Sequence, residues 1–146
     1  MRINTGSSHV QLPENTRAMN EPSTGVDPVS RIDLWRLTSE AAAAGAAVVM
    51  STTYLDEAER AGQLLVLDRG RALLQGTYDD VRAGFRGTVT CGRSAVRPEW
   101  SWRRGRERRE YWPAADQPDD SLVVDPDLED LVVALSLTAR NQEAAV

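Results

Sequence analysis

Lysine is missing altogether: all 17 basic side chains among the 146 residues are arginine. A phosphate-cradling loop of the G-x-x-x-x-G-K-[ST] type needs a flexible ammonium that reaches the β and γ phosphates. This chain has none to offer. A single cysteine, Cys91, excludes an internal disulfide, and a single histidine, His9, leaves no Cys/His cluster for zinc. No metal-ligand set is therefore predicted. Neither residue sits in a context that supports Ser-His or Cys-His catalysis; Cys91 reads as a small strand residue and His9 as part of a loose tail. No apolar run approaches the roughly 20 residues needed to cross a bilayer. The opening MRINTGSSHVQLPENTR has no apolar segment of the secretory kind. A cytoplasmic chain is expected, peripheral to the membrane only if a partner carries it there.

What is present suits one ordinary soluble domain, with 41% hydrophobic and 27% charged residues. Residues 1–18 are polar and aperiodic and read as a tail or loop. Asp27-Pro28 is a helix start, because Asp caps free amides and Pro fits the first turn. Val29, Ile32 and Trp35, with Leu34, Leu37 and Ala41, give a broad apolar face, and Gly45 suits the helix end. Ala46 to Ser51 is a continuous apolar run of the kind found in parallel strands covered on both faces. A short helix over 54–61, a hairpin turning at Arg69-Gly70, and a helix capped by Thr77 with Asp80 follow.

Past Gly87 the character changes. TVTC and SLVVD read as strands. Residues 93–109 hold seven Arg against Glu99 and Glu107, and residues 110–130 then hold eight acids and no Arg. Asp125-Pro126 leads into a final helix with Leu128, Leu131, Val132, Leu135 and Ala139 on one stripe.

Chemistry is expected at the ends of the parallel strands, where α/β folds place ligands. Two candidate ends are polar: Asn20-Glu21 and Thr52-Thr53. A carboxylate there can orient and deprotonate a water that attacks a phosphate. The segment Asn20-Glu21-Pro22-Ser23, the loop Thr24-Gly25-Val26-Asp27-Pro28, then Ser51-Thr52-Thr53 and Asp56-Glu57-Ala58-Glu59 together resemble the second half of the ATP-binding subunit of an ABC transporter. Asp68-Arg69-Gly70, Gly76-Thr77 and the closing Leu128-Glu129-Asp130 helix match as well. The tail with RPEWSWRRGRERREYW looks like the extension of drug-exporting members.

The resemblance implies an α/β fold: part of a P-loop NTPase domain of the ABC ATP-binding type, with a small α+β carboxyl-terminal extension. Residues 1–18 would be the polar tail, 19–87 the carboxyl-terminal half of the ATP-binding domain, and 88–146 the extension with its final helix. It implies ATP and Mg²⁺ as cofactors, and a membrane-spanning permease and a second ATP-binding subunit as partners. Glu21 takes the position of the general base, and Asp27 belongs to the loop that meets the opposite subunit. Asn20 stands where the family has a metal-binding Asp; its amide brings no negative charge to a divalent cation. Thr53 stands where the family has a switch histidine.

The residues before Asn20, ENTRA, lack the apolar run of the expected preceding strand. The sequence also contains no phosphate loop, glutamine loop or Ser-Gly-Gly-Gln signature. The family role is ATP-driven export of the multidrug type; a truncated protein whose own hydrolytic activity is lost is expected. Two other classes compete. One is a non-catalytic fragment that docks on a transporter subunit, with a damaged gene product as its bland form. The other is an Arg/Trp-rich nucleic-acid module, weighed down by the acidic pI near 4.9 and by acids placed to pair with the arginines. No nucleic-acid partner is expected.

Overall fold

The computed structural model describes residues 2–5, 8–11, 14–113 and 122–144. The chain divides into two compact units, 1–54 and 55–146.

In the first unit, strands occur within residues 1–18, where the sequence suggested a tail or loop. Strands β1 (Arg2–Thr5) and β2 (Ser8–Gln11) pair antiparallel, so His9 lies in a strand. β3 (Thr16–Asn20) runs parallel to β4 (Ala47–Ser51), with Thr16 opposite Ala47 and Asn20 opposite Ser51. β3 forms without the expected apolar run because the ladder to β4 satisfies its backbone, while its side chains stay exposed or half-buried. The run at 46–51 is a strand as expected but is not covered on both faces: no residue of β4 is buried, and Val49 is 39% exposed.

Helix α1 (Pro28–Ala43) begins as the sequence dictates, with Asp27 accepting hydrogen bonds from the N–H groups of Val29 and Ser30. It ends before Gly45, whose φ of +90° favours glycine. The inward stripe, however, is rotated from the expected one. Arg31, Leu34, Trp35, Thr38 and Ala41 are half-buried at i, i+3, i+4 spacing, whereas Val29, Ile32 and Leu37 are exposed. Apolar residues occupy more than one side of α1, and only one side is covered.

The second unit holds the core. α2 (Leu55–Ala58) is a single turn; β5 (Leu64–Asp68) and β6 (Arg71–Gly76) form the expected hairpin. Arg69 and Gly70 both take positive φ in its two-residue turn. α3 (Tyr78–Gly84) is capped by Thr77, whose oxygen accepts from the Asp80 N–H and whose hydroxyl donates to Asp80 Oδ2 at 2.7 Å. β7 (Thr88–Gly92), β8 (Ser101–Arg104), β9 (Glu107–Trp112) and β10 (Leu122–Val124) make an antiparallel sheet in the order β10-β7-β9-β8.

Helix α4 (Leu128–Ala144) joins two clusters. Leu128 packs with Leu64 and Leu74 of the hairpin; Ala134 packs with Val89 and Tyr111 of the sheet. Its start is tied twice: Asp127 accepts from the Asp130 N–H, and Glu59 accepts from the Leu128 N–H at 3.1 Å. Part of the acidic run does meet the arginines. Arg104 pairs with Asp127, with Glu129 at 3.4 Å and with buried Asp130 at 3.3 Å. Burial raises the Asp130 carboxyl, helped by the neighbouring Asp127 charge and opposed by Arg104 and Arg109. For Asp127, burial pushes upward, but its bonds to Arg104 and the Asp130 N–H, with the charges of Arg104 and Arg109, hold it below the usual value. One guanidinium thus steadies two acids that repel each other. Among the described residues, no helix is long and apolar enough to cross a membrane.

Candidate functional site

β3 and β4 are parallel and in register, so their carboxyl ends stop side by side. Asn20 and Ser51, the last residues of the two strands, are ladder partners, and the Ser51 hydroxyl donates to Asn20 Oδ1 at 2.6 Å. Glu21 extends the ladder by one bond, its N–H donating to the Ser51 carbonyl at 3.0 Å. The chain then turns sharply, with Glu21 at φ +46°, a left-handed conformation uncommon outside glycine and asparagine. Strain of that kind costs on the order of 1–3 kcal/mol and persists where surrounding bonds hold it.

Those bonds converge on one oxygen. Glu21 Oε2 accepts from the Thr53 N–H at 3.2 Å, the Thr53 hydroxyl at 3.4 Å and the Thr24 hydroxyl at 3.3 Å. Thr53 follows the end of β4 by two residues, and its two hydrogen bonds bring it to Glu21 at the end of β3. Thr52 Oγ1 in turn accepts from the Tyr54 N–H, closing a tight Thr52–Tyr54 turn. Tyr54 is covered by the Arg31 guanidinium, 4.7 Å from its ring centroid.

Three of the four residues singled out from the sequence, Asn20, Glu21 and Thr53, therefore meet at one strand end. Asp27 is engaged elsewhere: its carboxylate caps α1, and hydrogen bonds from Ser30, side chain then backbone, hold it below the ordinary Asp range. Two participants were missed. Ser51 could have been found from its register opposite Asn20, and Thr24 from its position three residues after Glu21 in a tight loop.

The arrangement presents one carboxylate, held in place by hydroxyl and amide donors. That is a group able to orient a polar hydrogen of a small molecule or water. It does not fit a magnesium triphosphate on its own. Asn20 Oδ1 already accepts from Ser51 and carries no charge, Asp27 is a helix cap, and there is no lysine in the chain. Among the described residues, no group of three or more His, Cys, Asp or Glu converges as a metal site. A cavity of about 390 Å³ in the second unit, lined by Gly87, Val89, Val123, Val124 and Asp125, has too few convergent polar groups to be a better candidate.

With this geometry in hand, comparison with known proteins points to one class, the ATP-binding subunits of ABC transporters, to which part of the chain is similar. It is 45% identical over 58 residues to the probable multidrug ABC transporter ATP-binding protein YbhF of Escherichia coli, covering 40% of the chain and 10% of that protein. It is 34% identical over 89 residues to the daunorubicin/doxorubicin resistance ATP-binding protein DrrA of Streptomyces peucetius, covering 60% and 27%. The Nod factor export ATP-binding protein I of Ralstonia nicotianae is 34% identical over 76 residues, covering 51% and 23%. The chain thus spans between a tenth and about a quarter of the lengths of these relatives. No protein-family model matches it.

Proposed function

We propose that residues 19–87 are a carboxyl-terminal portion of an export-type ABC ATP-binding domain, that residues 88–146 are its extension, and that the chain alone does not hydrolyse ATP. The observation that carries this reading is the convergence of Thr53 on Glu21 across two adjacent parallel strand ends. Glu21 takes the position of the water-activating base and Thr53 that of the switch residue; Asn20 occupies the metal-acid position and Asp27 the inter-subunit loop. In an assembled transporter the partners would be a membrane-spanning permease and a second ATP-binding subunit, placing the chain at the cytoplasmic face of the membrane. A bound Mg-ATP would supply the phosphoryl group and its charge neutralisation. This chain would contribute a positioned carboxylate and the hydroxyl that orients it.

Phosphoryl transfer is accelerated almost wholly by positioning and electrostatics. With no lysine cradle, an amide at the metal-acid position and a threonine at the switch position, the remaining carboxylate has no gripped substrate to act on. ATP turnover by the purified chain is expected to equal that of a Glu21→Ala variant. A magnesium-dependent turnover that disappears in Glu21→Ala would contradict the proposal.

A second reading, a non-catalytic fragment docking on a transporter subunit, is favoured by one observation. The first unit carries a two-stranded parallel sheet with no buried residue and a helix with none, although such sheets are ordinarily covered on both faces.

A further inference from the structure

Arg103 on β8 and Arg108 on β9 are cross-strand partners, so strand alternation sets both side chains on the same face of the sheet. Like charges directly opposite each other destabilise a ladder. Arg106 occupies the turn between the two strands, beside Gly105 at φ +61°. Arg93 follows β7 directly after Gly92, the ladder partner of Arg108. All four are exposed.

The other arginines of the segment are engaged. Arg97 pairs with Glu110 and lies 3.9 Å over the Trp112 ring; Arg104 pairs with Asp127 and Asp130; Arg109 faces Asp130 at 4.0 Å. Among the described residues, Arg103 and Arg108 donate to neutral oxygens, the Gly105 carbonyl and the Ser101 hydroxyl. A chain of net charge −5 thus gathers four exposed guanidiniums at one end of one sheet.

The same face carries an apolar point. Glu110, two residues along β9 from Arg108, accepts from the N–H groups of Val96 and Arg97 at 2.9 and 2.8 Å and pins their loop. Val96, between Arg93 and Arg97 in sequence, is 77% exposed.

We propose that this arginine face, with Val96, is a contact surface for an anionic lipid bilayer. Spread positive charge with one small apolar residue matches an array of headgroups, to which each nearby arginine adds attraction. Single-stranded nucleic acid would need a stacking platform. Here Trp100 and Trp102 pack against the Val89–Tyr111–Ala134 core, while Trp112 lies under Arg97 and donates to Thr90. A specific protein partner would want a large aromatic or aliphatic anchor at the centre of the patch; one valine does not provide it. The inference stands on the second unit alone and is independent of the reading of Glu21.

The test is co-sedimentation of the full chain with phosphatidylserine/phosphatidylcholine vesicles and with pure phosphatidylcholine vesicles, across a salt series. Binding should require phosphatidylserine and weaken steeply with salt. The triple change Arg103→Ser, Arg106→Ser, Arg108→Ser should weaken it on the order of 100-fold, with circular dichroism unchanged. The same three positions changed to Lys should retain affinity within about fivefold. Should the serine variant fail to fold, Val96→Asp, expected to lower affinity by about tenfold, carries the test with the lysine variant. The proposal is overturned by equal binding to pure phosphatidylcholine, by no binding at low salt, or by an unaltered affinity in the folded serine variant. Tighter capture by a single-stranded oligonucleotide or an acidic peptide than by the anionic vesicles would also overturn it.

Discussion

Alanine at Gly87 is expected to disrupt the carboxyl-terminal unit. Gly87 enters β7 at φ +106°, a conformation that side-chain-bearing residues rarely adopt. A Cβ there would lie 2.4 Å from the Trp112 carbonyl oxygen and 2.7 Å from a Tyr111 ring carbon. The backbone contact cannot swing away, and Tyr111 is itself held by its hydroxyl donating to the Arg86 carbonyl at 2.7 Å. Strain and overpacking together are expected to cost about 3 kcal/mol or more, a large share of a small domain's stability. Gly84, at the end of α3, has open space where its Cβ would go, so Gly84→Ala should be neutral or slightly stabilising. Urea unfolding followed by tryptophan fluorescence distinguishes the two, since Trp100, Trp102 and Trp112 all lie in this unit. Equal midpoints for both variants would mean that the close approach at Gly87 is not real.

The second large effect belongs to Leu131, fully buried on α4 one turn after Leu128 and one turn before Ala134. Leu131→Ala should cost about 3 kcal/mol through lost burial and the cavity left behind. Ile32 has the same chemistry but is 67% exposed on α1. Ile32→Ala should stay within about 0.5 kcal/mol. The contrast measures how unevenly the chain is packed. A loss at Ile32 comparable to that at Leu131 would mean that the outer face of α1 is covered in solution.

Local chemistry was the most legible part of the sequence. Asp27-Pro28, Thr77 and Arg69-Gly70 each name a backbone requirement that only a few residue types meet, and each forms where those residues stand; the one-sided stripe of α4 was legible because its apolar residues keep to one face. That Asn20, Glu21 and Thr53 would lie together was legible only through the motif they belong to, not through the strand that ends at Asn20. Less legible was anything set by packing partners. Polar β1 and β2, and β3 with its TRAMN sequence, form by backbone pairing, which leaves little trace in hydrophobicity. The covered side of α1 could not be chosen from a helix with apolar residues on several sides. Ser51 and Thr24 enter through register and turn geometry. The arginine-rich hairpin shows the same divide: composition marks it as basic, but only the pairing separates Arg104, held by Asp127 and Asp130, from exposed Arg103 and Arg108.

The proposed role of the chain depends on a positioned carboxylate that lacks the means to hold its substrate. Calorimetric titration of the purified chain with Mg-ATP, beside a Glu21→Ala control, tests this most directly. No saturable heat in the micromolar range is expected for either protein. Saturable micromolar binding by the unaltered chain would contradict it.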